Sequence, residues 1–159
     1  MNTFEHGVGQ PKPLRLLVPI NANANSRWGA RYALQRHLEG TAVEVVLLNV
    51  GEIVTQWQVL RFRTQQEVAQ FQSERAQAFI DEASALLAAE NIPCRGLFKQ
   101  GDVVFSILDA AEELDCDEIA MPVPQPGLAN LFARDIVAEV RRHQGEIPVV
   151  MVDSEGLPR

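Results

Sequence analysis

Short runs rich in valine, leucine and isoleucine alternate along this chain with longer stretches whose apolar residues recur at helical spacing. That alternation narrows the fold more than any other feature. The first run, Leu14 to Ile20, is apolar almost without a break, as a strand covered on both faces must be. Strands of this kind joined by helices lie parallel in an open sheet with helices on both sides.

The turn Asn21 to Ser26 follows, with Asn25 or Ser26 placed to cap a helix that runs to Leu38 and stops at Gly40. Ala42 to Val50 reads as the second strand. Gln65 to Glu90 reads as a long helix carrying Val68, Phe71, Phe79, Ile80, Ala83, Leu86 and Leu87 inward. Ile92 to Phe98 is a weaker third strand. Gly101-Asp102 opens a helix through Leu114, with Val104, Ile107, Leu108 and Ala111 inward. Asp117 to Met121 is the fourth strand, a last helix ends near Gln144 against Gly145, and Ile147 to Val152 is the fifth strand. Residues 1–13 are expected as a loose arm, 14–153 as the domain and 154–159 as a tail.

Composition closes off several classes. At 159 residues the chain suits a single domain. Its net charge of −7 argues against a nucleic-acid surface. No apolar run approaches the roughly 18–20 residues that insert across a bilayer. Cys94 and Cys116 suit neither a disulfide framework nor a zinc cage, which points to a reducing cytoplasm. His6, His37 and His143 are scattered without metal-ligand spacing, so no metal is expected. No nucleophile elbow, phosphate loop or dinucleotide fingerprint is present, and Asn21 stands where a phosphoacceptor domain needs a carboxylate. An enzyme is not expected.

If the sheet order reverses between the first and fourth strands, their C-terminal ends form a ligand crevice lined by residues 21–26 and 122–135. A nucleotide site there wants bare backbone N–H groups. Met121-Pro122-Val123-Pro124-Gln125-Pro126-Gly127 supplies three prolines instead, none with an N–H to offer.

These segments resemble the universal stress proteins. The likeness rests on Leu16-Leu17-Val18-Pro19-Ile20, Val45 to Val50, Gln100-Gly101-Asp102, Asp117 to Met121, Val137-Ala138-Glu139-Val140 and Ile147 to Val152, in that order and spacing. It implies an adenine nucleotide alpha hydrolase-like sheet of order 3-2-1-4-5, a cytoplasmic stress-response role, and a homodimer made through the last strand. Ile147, Val149, Val150, Met151 and Val152 would then line the seam. Nucleotide-binding members carry glycine, two residues, glycine, nine residues, then glycine with serine or threonine. Alignment on Val137-Ala138-Glu139 puts Pro122, Gln125, Asp135 and Ile136 on those positions, and Asn21 replaces the acidic residue after the first strand. Gly101 survives in kind, with the backbone around Val18 to Ile20 and Val50.

The expected site is therefore degenerate and the expected cofactor none. Asp135 reads either as an ordinary helix cap or as an internal stand-in for phosphate. Asn21, Asn23 and Asn25 read as turn formers or as a grip on a polar ligand. The run Glu112, Glu113, Asp115 and Asp117 reads as a solvated helix end. Trp57, Leu60 and Phe62, in the connection 51–64, are either a cover over the core or a surface for a protein partner. The functional expectation is a non-catalytic homodimer acting through protein contacts. The alternative is an ATP- or AMP-binding sensor using residual backbone contacts.

Overall fold

The computed structural model describes residues 12–53, 63–124 and 135–159. Five strands, β1 (Leu14–Pro19), β2 (Val43–Gly51), β3 (Cys94–Gln100), β4 (Glu118–Pro122) and β5 (Val149–Val152), form one sheet. Its order is β3-β2-β1-β4-β5, with every strand pairing parallel to its neighbours. The helices are α1 (Trp28–Leu38), α2 (Gln65–Ala88), α3 (Val103–Glu113) and α4 (Ile136–His143), with a 3₁₀ turn at Ala24–Arg27.

Because strand side chains alternate, the sheet sorts its apolar residues into two cores. Leu16, Val18, Val45, Leu47 and Ala120 pack with α1 and α2 on one face. Leu17, Val46, Leu48, Ile119 and Met121 pack with α3 and α4 on the other. Covered faces on both sides explain the unbroken apolar character of the strand sequences.

Local chemistry fixes the helix ends. Thr64 and Glu67 form a reciprocal capping box at the start of α2. Three helices stop in the same way, with a left-handed residue and paired backbone bonds: Gly40 (φ 94°) after α1, Asn91 (φ 57°) after α2 and Asp115 (φ 51°) after α3. The bonds after α2 run from Ile92 N to Leu87 O and from Asn91 N to Ala88 O.

Several expectations are corrected here. The third strand begins at Cys94, because Ile92 donates to the helix end and Pro93 has no N–H for the ladder. Phe71 points outward at 59% exposure and Leu86 is exposed as well. The buried stripe of α2 runs through Val68, Ala76, Ile80, Ala83 and Leu87, and at 100° per residue it passes over Gln72 instead of Phe71. Gly145 adopts no left-handed angle; α4 ends because Gln144 is already extended (ψ 140°). Ile147 precedes β5 instead of belonging to it, and packs with the α3–α4 core. The acidic run is not merely solvated: Glu113 pairs with Lys99 at 2.9 Å, and Asp117 accepts the Arg15 N–H at 2.8 Å.

Tyr32 on α1 is buried, and its hydroxyl donates to Glu118 Oε1 at 2.8 Å. Burial pushes its pKa up to about 12, and the Glu118 bond adds to the shift. The folded state therefore holds this proton where the unfolded chain, at the ordinary 10.0, has begun to lose it. Stability from this group is full below pH 10.0 and disappears as pH rises toward about 12. Urea midpoints on either side of that window are expected to fall more steeply for the natural chain than for Tyr32→Phe. Equal slopes would contradict the assignment.

Candidate functional site

The sheet order reverses between β1 and β4, and the crevice opens at their C-terminal ends. On the β1 side the floor is tightly held. Ile20 N donates to Leu48 O at 2.7 Å, and the buried Asn49 on β2 donates from Nδ2 to Ile20 O at 2.7 Å. Beyond the strand, Asn21 Oδ1 accepts from Asn23 N at 2.8 Å. Asn21 N donates to the Oγ of Ser26 at 3.1 Å, and that hydroxyl lies 2.8 Å from Asn23 O. Ser26 is 3% exposed. The asparagine side-chain oxygen is thus occupied in making its own turn. Ser26 locks the turn from within instead of capping α1, whose first residues follow the 3₁₀ turn with no side-chain cap.

Val50, half-buried, leans on the α3–α4 core at the end of β2. Gly101 N donates to Gly51 O at 2.9 Å, joining the ends of β2 and β3. Next to it Asp102 caps α3 by accepting from Phe105 N at 2.9 Å. Gln72 of α2 closes over this corner: its Nε2 donates to Glu52 O at 2.9 Å and its Oε1 accepts from Gln100 at 3.0 Å. A Cβ on Gly51 would come within 2.7 Å of that Oε1, so the side chain sits directly on the backbone. Sequence reading missed both Asn49 and Gln72. The available signal was a polar residue inside an apolar run for the first, and the 100° stripe for the second.

On the β4 side Pro122 is the last strand residue, and the next amide, Val123 N, is spent on Val152 O at 2.9 Å. Asp135 is the N-cap of α4, its Oδ1 accepting from Ala138 N at 3.0 Å. Ile136 turns into the α3–α4 core. Asn21, Val50, Gly101 and Pro122 therefore mark the C-terminal ends of four neighbouring strands, while Asp135 and Ile136 open the helix after β4. Gln125, and with it Pro126 and Gly127, lies outside the described residues, as do Trp57, Leu60 and Phe62. Of the expected seam residues, Val152 is fully buried, Val150 leans on the α1–α2 core and Val149 on the α3–α4 core.

A depression of about 420 Å³ lies elsewhere, between α3 and α4, lined by Val104, Phe105, Leu108, Asp109, Glu112 and His143. Among the described residues no cluster of His, Cys, Asp and Glu could hold a metal, and no helix is long and apolar enough to cross a membrane.

An open parallel sheet covered on both faces, with its crevice at the strand reversal, defines a doubly wound α/β domain of the kind that presents small ligands at strand ends. The chain belongs to the universal stress protein family, whose pattern it matches over residues 14–153. No curated protein matches it. Among solved structures it is similar to a universal stress family protein from Burkholderia pseudomallei, 16% identical with TM-score 0.67, covering 87% of this chain and 94% of that one. A family protein from Arabidopsis thaliana with AMP bound is 14% identical with TM-score 0.64, covering 92% and 100%. A universal stress protein in complex with cAMP is 13% identical with TM-score 0.63, covering 87% and 96%. At these identities the likeness carries the fold.

Proposed function

We propose that this chain is a non-catalytic universal stress protein acting in the cytoplasm through protein contacts, as a homodimer pairing along β5, with a nucleotide crevice too depleted to hold ATP. The observation that carries this reading is the α4 N-terminus: the Asp135 carboxylate already takes the Ala138 amide, 3.0 Å away. A phosphate arriving there would displace an internal anion from the positive end of the helix and be repelled by it. Pro122 withholds an N–H at the strand end, Ile136 offers no hydroxyl, and the Asn21 side-chain oxygen is engaged in its turn. Each missing charge-assisted bond is worth about 1.5–3 kcal/mol. Losing several leaves an affinity near or below the about 4 kcal/mol that corresponds to a millimolar Kd.

Relatives with AMP and with cAMP favour a second reading, an adenine-nucleotide sensor that works through the backbone around Val50 and Gly101. Native mass spectrometry of the freshly purified protein, with calorimetric titration of ATP and AMP, separates the two. The expected result is a ligand-free chain and no saturable heat at roughly millimolar nucleotide. A nucleotide retained at one per chain would reverse the preference.

A further inference from the structure

Residues 154–159 read in sequence as a tail, yet they are tied to the sheet. Strand β5 is the sheet edge. Its inner side faces β4, where Pro148 O and Val152 O accept from Ile119 and Val123. The alternate residues Val149, Met151 and Asp153 therefore present their backbone groups outward. The tail turns back and takes two of these groups: Arg159 N donates to Met151 O at 2.8 Å, and Asp153 N donates to Leu157 O at 2.9 Å. Together they make an antiparallel bridge between Val152 and Pro158.

The turn that permits this is specific. Asp153 Oδ1 accepts from Glu155 N at 2.9 Å and Leu157 N at 3.0 Å, while Oδ2 accepts from Arg159 Nε at 2.6 Å. The Leu157 amide, followed by Arg159 and the Glu155 amide, holds the Asp153 carboxyl below its ordinary 3.8. Gly156 is buried with φ 81°, and a Cβ there would stand 2.5 Å from the Arg31 carbonyl carbon and 2.7 Å from Tyr32 N. No other residue lets the turn lie so close to α1. The Arg31 guanidinium bonds Ser154 O, and Gln35 Nε2 reaches Glu155 O at 3.4 Å.

We propose that this segment is an intrachain occupant of the self-association edge, so that a second copy of the chain pairs along β5 only when residues 154–159 are displaced. The inference rests on the homodimer reading above. An exposed edge strand is an open template for another strand, and proteins commonly cover such an edge with their own chain. Twofold β5 pairing needs the outward groups of Met151 and Asp153, and these are the groups the tail has taken. The second copy is the occupant that matches the tail bond for bond, since it offers the same backbone pattern in antiparallel sense.

Sedimentation velocity on the full chain, on a chain ending at Asp153 and on Gly156→Val tests this. Gly156→Val removes the room for the turn while leaving every donor and acceptor in place, and circular dichroism checks that both variants stay folded. The expected result is a dimer at least about tenfold tighter in both variants than in the full chain, the worth of one or two net hydrogen bonds freed per seam. Equal dimer constants in all three proteins would overturn the gate and leave the pairing edge standing. Three monomers at roughly 100 µM, too weak for a stable seam, would overturn the pairing edge itself. A weaker dimer in the variants would also overturn the gate, because the tail would then be part of the seam.

Discussion

Replacing Gly29 with valine is expected to lower stability by about 3 kcal/mol, a fall of roughly 10 °C in Tm for a chain of this length. Gly29 is the second residue of α1, where the helix crosses β1 and β4 beside the crevice. A Cβ at this position would lie 2.7 Å from Val18 Cγ1, 3.0 Å from Ala120 O and 3.4 Å from Ala120 Cβ. Val18 and Ala120 are fully buried, and the carbonyl belongs to β4, so the contact cannot relax by swinging an exposed side chain away. The helix has to lift instead, and the turn from Asn21 to Arg27 moves with it. Gly29→Ala provides the control. Helix propensity alone would make alanine stabilising by about 1 kcal/mol, whereas the close approach makes it neutral or destabilising. Thermal unfolding of both variants measures the difference. A stabilised alanine variant with a tolerated valine would refute the close-packing account.

Gly29 illustrates which parts of this fold could be read from the sequence. The glycine is visible there, but its reason lies in Val18 and Ala120, which reach it only once β1 and β4 are neighbours. The strands themselves were legible, because a strand buried on both faces has almost no freedom to be polar. Where they failed, they failed by backbone chemistry: Pro93 delays β3 and Gln144 ends α4 without using Gly145. At the crevice, Pro122, Asp135 and Asn21 carry meaning that depends on residue type and on position along the chain, so they could be placed. Gln72 and Asn49 act across elements, on Glu52 O and Ile20 O; the local pattern can mark each as facing inward but does not name the partner it reaches. The tail was the least legible. Its order depends on one carboxylate meeting three donors and on one glycine fitting against α1, and neither leaves a period in the sequence.

Glu44 is a buried charge within the sheet, and its removal is the second large effect expected. It stands in β2 opposite Arg15 of β1, in direct register, and is 2% exposed. Arg15 Nε donates to Glu44 Oε1 at 2.6 Å and Nη1 donates to Leu114 O at 2.5 Å, so one guanidinium ties both strands to the end of α3. The Arg15 backbone completes the tie, exchanging bonds at 2.8 Å with Asp117 through N–H to Oδ2 and through O from Asp117 N. The Arg15 side chain is 17% exposed, so water cannot take over fully from a lost carboxylate. Breaking a buried pair from one side costs about 3–5 kcal/mol, because the remaining charge is stranded. Glu44→Ala is therefore expected to destabilise by about 3 kcal/mol, near the lower end since Leu114 O still accepts from Arg15. The double variant Arg15→Met with Glu44→Leu removes both charges of this pair together and forfeits the Leu114 contact, worth about 1 kcal/mol. It should be more stable than Glu44→Ala alone. Urea unfolding of the natural chain and both variants checks that order. A double variant less stable than Glu44→Ala would mean that the pair contributes through its attraction, instead of being a charge that must not be left alone.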